Sequence, residues 1–598
     1  MLTETQIANP KVSTIPKLDA AALGLFILVL GFYLYTLAPS MNWADGGRMQ
    51  MDVMLGGSTY WFFDEARHIP TDGLPFDRLG AAAWDHPLYV MLGQLFIAIP
   101  WGEPSRWINL MSAVAGALAI ALVYRLGRWL GIEPWAAALG ALALAVSHTF
   151  WFHAVTSEVY TLNVVFMVSL IGLALSWPQN RSWRQLAAFA FLAGLGLANH
   201  LMLGLTLLLT GAYMIVMIVA NAHKPPQARA LLSSRAYTSL VEAWSGWRSL
   251  ALVGLFLAGF APWWIQFVRM ARIIGLPLAL EIAVGFPWLG HRMAVQSGGA
   301  ILINLGGYLG WLLYQFTPIG VTFGIYGYFQ LRREQPHTAR LLLAIFISHI
   351  LFSANYTLGD QFNFHLPSYV VFSLAIIWGV ARLSGNLGSC LPVDNPRLMR
   401  GLLLVLLTVT PISLYALTPL ALSRLGVTEA RLGIQPIGVG VRDTLTYFLN
   451  PNKRGDDSAA RFGRSTMAGL APNALVLAPK TTDQEAFAVL RYFQAVEGLR
   501  PDARLEMLIF EPGAQDMPQT VLAKVQAQRG CRPLYLASLH PKSYPLAALA
   551  AEFEIVPEAN LFRLLPRQPQ PPPAACPDPV PNLTGVSAEE LFRMAMRW

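Results

Sequence analysis

Runs of about twenty apolar residues recur along the first 420 positions, and nothing else constrains this chain so strongly. The first, Ala20 to Pro39, is long enough to cross a hydrocarbon layer of about 30 Å as a helix. Others fall near 107–126, 134–150, 158–177, 184–199, 201–220, 248–267, 311–331, 339–356, 367–384 and 401–419, and the segment 300–316 reads either as part of a span or as an interfacial helix. A segment in lipid has to satisfy its backbone N–H and C=O groups internally, so each run is read as a helix. The result is an α-helical polytopic membrane protein of about 11 transmembrane helices. Composition agrees: 55% of residues are hydrophobic and 13% are charged. A soluble domain carries about 25% charged residues, so an ordinary cytosolic enzyme is excluded, and the wealth of Leu, Ile and Phe excludes a disordered chain.

The charges divide the chain in two. Residues 1–420 hold 23 Lys and Arg with 17 Asp and Glu, whereas residues 421–598 hold 19 and 17 in less than half the length. A membrane body therefore ends near Leu420, and a water-facing segment, 421–598, follows. Lys11 and Lys17 precede the first run and no small-residue cleavage site follows it, which reads as a retained helix. With the N-terminus in the cytoplasm, the inner loops collect 14 bases against four acids, in accord with the positive-inside rule. An odd number of crossings then puts the C-terminal segment outside, in the periplasm of a bacterial inner membrane or in a lumen. The net charge of +8 is read as this orientation signal, with no nucleic-acid partner. Cys390, Cys531 and Cys576 form no metal-ligand spacing; outside the cytoplasm Cys531 and Cys576 are candidates to pair.

The first outside loop, 40–105, is long and acidic, with eight of the body's acids in 66 residues. Loops of that length are usually functional. Asp45 lies just after the first helix, where a carboxylate can take a proton from an attacking hydroxyl; the alternative is a helix N-cap. His86, next to Asp85 in Trp-Asp-His-Pro-Leu-Tyr, either hydrogen-bonds a phosphate or is a plain interfacial histidine. Glu158 stands at the edge of a span among aromatic residues, with His148 and His153 nearby. It is a functional candidate by its depth, or it serves the positive end of a helix begun by Thr156 or Ser157. Asn199–His200 interrupts nearly forty apolar residues and suits a tight outer turn, or faces an active cavity; Asp360, Asn363 and His365 form another polar cluster on the same side.

The C-terminal segment alternates strand and helix patterns: strand 474–478, helix 483–498, strand 505–510, helix 518–529, strand 533–538, helix 544–553. It reads as a small soluble α/β domain, with the Pro-rich stretch 566–581 as a linker. The body shows no internal repeat, which argues against an inverted-repeat transporter.

Four stretches in this order — the acidic first loop, Trp84-Asp-His-Pro-Leu-Tyr, Phe150-Trp-x-x-Ala-x-x-Ser-Glu-Val-Tyr160 and Gly196-Leu-x-x-Asn-His200 — resemble the family of domain of unknown function 2723. That family includes the vertebrate transmembrane protein 260 and belongs with the GT-C glycosyltransferases, near the protein O-mannosyltransferases. Asp360 to Tyr369 and the segment Val496–Asp502 are similar too. The resemblance implies a GT-C-like body, a polyprenyl-phosphate sugar as donor, an acceptor hydroxyl on a protein or glycan, and a site on the outer face. GT-C enzymes place a catalytic Asp in the first outside loop, where Asp45 stands. The family pattern is close to Asp-x-Gly-Glu, and here it reads Asp45-Gly46-Gly47-Arg48. Either Asp52 substitutes for the missing Glu, or Arg48 binds the donor phosphate, or the activity has changed; a guanidinium forks onto phosphate oxygens, which favours the second. On this reading His86, Asn199, His200, Glu158 and Tyr160 hold the donor's phosphate and sugar, with Asp85, His153, Asp360 and His365 in reserve. No cofactor or divalent metal is expected, and mannose is what the family neighbours suggest. The rival readings are a flippase for a lipid-linked sugar and a non-catalytic assembly protein.

Overall fold

In the computed structural model, residues 19–57, 86–222, 246–274, 276–277, 279–280, 297–356, 361–390, 395–432, 434, 436–508 and 517–568 are described. The body begins with α1 (Ala20–Thr36), α2 (Ala44–Leu55), α3 (Pro87–Ile97), α4 (Pro104–Trp129), α5 (Pro134–Ala145), α6 (His148–Val155), α7 (Tyr160–Asn180) and α8 (Trp183–Asn199). It continues with α9 (Leu203–Ala222), α10 (Gly246–Gly259), α11 (Ala261–Ile274), α12 (Gly298–Glu334), α13 (Pro336–Ala354), a 3-10 turn (Gln361–His365) and α14 (Leu366–Cys390). It closes with α15 (Pro396–Leu404), a π-turn (Val405–Val409) and α16 (Thr410–Arg424). Helix α4 is central and packs against α1, α3, α5, α6 and α7, while α14 packs against α5, α12 and α13. The α12–α14 crossing is unusually close. A Cβ on Gly327 would lie 1.9 Å from the Ala375 carbonyl oxygen, and one on Gly379 would lie 2.0 Å from that of Phe323. Small residues let helices approach in lipid, where no hydrophobic force separates apolar side chains from acyl tails.

All eleven apolar runs are helical, and the chain is an integral membrane protein. Among the described residues five helices are long and apolar enough to span, or up to seven if each of two bent pairs is one span. The run 134–150 breaks between α5 and α6 with a 69° bend, and 248–267 breaks between α10 and α11 with a 62° bend. The first break is held from outside: Tyr415 Oη accepts from the His148 N–H (3.1 Å) and Gln315 Oε1 from the Thr149 N–H (2.9 Å), filling positions a helix start leaves unsatisfied. Helix α12 also kinks at Thr317 (φ 58°), just before Pro318, so 300–316 is the first half of a bent helix.

Beyond α16 come α17 (Thr444–Leu449), α18 (Ser458–Gly469), β1 (Leu475–Pro479), α19 (Lys480–Ala495), β2 (Arg504–Leu508), α20 (Met517–Gln528), β3 (Leu534–Leu536), α21 (Leu546–Glu552), β4 (Phe553–Glu558) and β5 (Leu561–Pro566). The strands form one sheet in the order β2-β1-β3-β5-β4. Strand β1 runs parallel to β2 and β3, with Leu475 opposite Arg504 and Leu534. The β4–β5 hairpin adds antiparallel at β3. The sequence pattern missed this hairpin and began a linker at Pro566, which instead ends β5. Its two-residue turn is Ala559-Asn560, both with positive φ, in place of the Asn-Gly that marks such turns. Cys531 is disulfide-bonded, and Cys576 lies outside the described residues.

Asp483, in the first turn of α19, is buried at the carboxyl end of β1. Tyr544 Oη lies 3.0 Å from the Leu477 carbonyl oxygen and 2.9 Å from Asp483 Oδ2. A phenol has one proton; if it goes to the carbonyl, Asp483 must donate to the phenol, which requires the acid form. Burial pushes the Asp483 carboxyl up to about 6 against the pull of Ser538, Thr482 and Tyr544. A carboxyl raised on folding stabilises fully below its unfolded value and loses that contribution as pH climbs through the folded value. The Asp483→Asn variant is therefore expected to lose the fall in stability between about pH 4 and pH 7, and to gain about 3 kcal/mol over the wild type near pH 8. Thermal unfolding of the full chain across that range checks it.

Candidate functional site

The loop leaving α1 is fixed by amides before it reaches Asp45. Asn109, fully buried on α4, donates to the carbonyl oxygens of Ala38 (3.0 Å) and Ser40 (3.1 Å). Gln50, fully buried on α2, accepts from the Asn42 N–H (2.9 Å) and donates toward Asn109 Oδ1 (3.0 Å) and the Ser105 carbonyl (3.2 Å). Ser157 closes the network: its N–H donates to Asn42 Oδ1 (2.9 Å) and its hydroxyl to Asn109 Oδ1 (2.6 Å). Buried polar groups joined in this way specify one arrangement, since any break leaves a desolvated group unpaired.

Helix α2 starts from that platform. Its N-cap is Trp43 and Asp45 lies in its first turn, exposed, so the capping alternative for Asp45 does not hold. Ala44 has φ 55°, a conformation that costs a non-glycine residue of the order of 1 kcal/mol and persists only where its surroundings enforce it. The Gly46-Gly47 pair lets the first turn sit on the loop. A Cβ on Gly46 would lie 3.4 Å from the Ser157 carbonyl oxygen, and one on Gly47 only 2.4 Å from that of Asn42. Asp45 thus stands beside the turn that carries Glu158, with half-buried Arg48 one helical turn further on. Asp52 is fully buried two turns along α2.

Glu158 is 7% exposed and precedes α7, whose N-cap is Val159; neither Thr156 nor Ser157 caps that helix. The Glu158 N–H donates to Ser112 Oγ (3.2 Å), which also meets the Tyr89 hydroxyl of α3 (3.0 Å). Asn199, the last residue of α8, donates to the Val159 carbonyl (3.2 Å). Its own carbonyl lies 2.8 Å from His86 Nδ1. A carbonyl only accepts, so Nδ1 carries the proton. His86 caps α3 in a left-handed conformation, φ 51°, and its ring stacks on His200 at 4.9 Å. His200 lies 5.5 Å from the Tyr160 ring, and Tyr160 lies 4.6 Å from that of buried His153.

Glu158, Asn199, His86, His200, Tyr160 and His153 therefore follow one another through adjacent backbone, hydrogen bonds and ring contacts, and Asp45 stands on the turn whose Gly46 faces the Ser157 carbonyl. His365 is not among them: its Nδ1 pairs with Ser353 Oγ (2.9 Å) beside Tyr308, while its neighbours Phe362 and Phe364 reach His153 and Tyr160. Asp85 and Asp360 lie outside the described residues. Sequence reasoning missed Asn42, Gln50, Asn109, Ser112 and Ser157; polar side chains inside the apolar α4 were the available signal for Asn109 and Ser112. Among the described residues no three His, Cys, Asp or Glu groups are placed to hold a metal ion. Behind the site, residues 442–458 add two buried cations. Arg442 pairs with Glu485, and Lys453 donates to the carbonyls of Tyr447 and Asn450 over the Phe152 ring. Burial pushes the Lys453 amine down to about 7, opposed by Asp456 and aided by Arg442.

Residues 85–225, which carry His86, Glu158, Tyr160 and Asn199–His200, match the family model described as the protein O-mannosyl-transferase TMEM260 N-terminal domain. Over those residues the chain is similar to that domain. Over most of its length the chain is also similar in fold to ArnT from Cupriavidus metallidurans. With the apo crystal structure the TM-score is 0.52 at 15% identity, over 91% of this chain and 98% of that one. A second ArnT structure, bound to undecaprenyl phosphate, gives 0.49 at 15% identity, over 91% and 97%. No curated protein matches the chain.

Proposed function

We propose that this protein is a GT-C-type glycosyltransferase that moves a sugar from a polyprenyl-phosphate carrier to a hydroxyl of a protein or glycan on the outer face of the membrane. The observation that carries the reading is the exposed Asp45 carboxylate, held by a buried amide network against the Glu158 turn, one helical turn from Arg48 and linked through that turn to the His86–His200 pair. A carboxylate base and nearby cations are what this transfer needs. Asp45 takes the proton of the acceptor hydroxyl as its oxygen bonds to the sugar's anomeric carbon, the bond from that carbon to phosphate breaks, and the lipid phosphate leaves with inversion. Arg48 and the His86 ring steady the departing charge, and Glu158 and Tyr160 orient the sugar.

The description of the matching family brings mannose and a protein acceptor to the reading. An odd number of crossings with the N-terminus inside would put Asp45 and the C-terminal segment outside, where the donor is presented by the outer leaflet. Cations already on the phosphate make a divalent metal unnecessary.

Reconstituted in nanodiscs, the protein is expected to transfer labelled sugar from polyprenyl-phosphate mannose, to ignore nucleotide sugars, and to keep its rate in a chelator. Arg48, in place of the family's acid, is the feature that favours a non-catalytic assembly protein, and loss of the site residues without effect beside a required C-terminal segment would decide for it. Movement of the labelled lipid across vesicles with its sugar bond intact would decide for a flippase.

A further inference from the structure

The residue just before the strained Ala44 is held from the far end of the chain. The Trp43 indole is 2% exposed, and its Nε1 donates to Ser458 Oγ at 2.8 Å. Ser458 in turn gives its own proton to Asp456 Oδ1 (2.6 Å), so its lone pairs are turned to the indole. The Arg442 guanidinium lies 5.0 Å over the same ring and is tied to Glu485 on α19; the Phe462 ring of α18 is 5.4 Å away. Met41, Trp43, Met51 and Phe152 share one buried cluster with Phe462, Phe487 and Phe493, and α2 lies along α19. The C-terminal segment is thus continuous with the packing of the Asp45 loop.

Two clamps meet at Ala44: the amides of Asn42, Gln50 and Asn109 on one side, and the indole held by Ser458 and Arg442 on the other. A left-handed alanine between two fixed neighbours aims the turn that carries Asp45; released on one side, it can relax and turn the carboxylate away. We infer that Ser458 and Arg442 are positioning residues for Asp45, acting through Trp43, so that the C-terminal segment is part of the catalytic unit and not a separable acceptor module. This rests on Asp45 being the base.

The test uses the full chain in nanodiscs with Ser458→Ala, Trp43→Phe and both together. Each single change is expected to lower kcat about tenfold with the donor KM within about twofold, because misplacing a catalytic group costs turnover more than binding. The double variant is expected to be no worse than either single one, since both remove the same bond. Ser458→Thr is expected to restore most of the rate. Hydrogen exchange at 42–55 rises in both variants while 475–508 is unchanged. Undiminished kcat, or losses that multiply in the double variant, would overturn the inference. If Asp45→Asn keeps wild-type turnover, the base reading is what fails; exchange at 42–55 then decides the clamp, surviving if it quickens and failing if it does not.

Discussion

Asp45→Asn is expected to cut sugar transfer by about 10²–10⁴-fold while the protein inserts and folds as before. Asparagine keeps the size of the side chain and loses the site for the acceptor's proton. Asp45 is exposed in the first turn of α2 and is not the cap of that helix, so little stability rides on its charge. A negative charge at a helix start contributes about 0.3–1 kcal/mol, which separates the effect on turnover from any effect on folding. Binding of the donor lipid should survive, because the phosphate is assigned to Arg48 and His86. Single-turnover transfer alongside lipid-phosphate titration measures the two separately, and unchanged turnover would remove Asp45 from the mechanism.

Gly47→Ala, by contrast, is expected to damage both. The added Cβ would meet the Asn42 carbonyl oxygen at 2.4 Å, about 1 Å closer than an ordinary contact, and that oxygen belongs to backbone pinned by Gln50 and Ser157. Neither partner is a flexible side-chain end, so α2 must lift off the loop. Overpacking of this kind costs about 1–3 kcal/mol. Moving the base by about 1 Å costs around a hundredfold in rate. Unfolding temperature and kcat of the purified variant check the two parts, and the corresponding change at Gly24, where a Cβ meets nothing within 4 Å, serves as the neutral control.

The membrane helices were legible because lipid leaves a chain few choices: an apolar run of sufficient length must close its own hydrogen bonds. Where those helices break was not legible. The turn at Ser147 depends on Tyr415 and Gln315, more than a hundred residues away, and no local pattern carries that information. The candidate site divides similarly. Asp45, Glu158, His86 and Asn199–His200 stood out as polar or charged groups beside apolar runs, and the structure joins them. His365 stood out for the same reason and is instead an internal partner of Ser353. Asn42, Gln50 and Asn109 were passed over because an amide bears no charge, although these three do most to seat the loop. In the C-terminal segment the first three strands were read to within a residue or two, while the β4–β5 hairpin escaped because alanine is an unusual occupant of a left-handed turn.

Trp43 and Ser458 lie 415 positions apart in the chain. Synthesis at about 5–20 residues per second puts roughly 20–80 s between their emergence. For that interval the first loop is already in place beside the lipid but lacks its far wall, and Ala44 is free to relax. On the proposed reading, a truncated or stalled product would insert and carry every residue of the proposed chemistry, yet turn over slowly. On the same reading, docking of the last segment is the event that brings the site to its full rate.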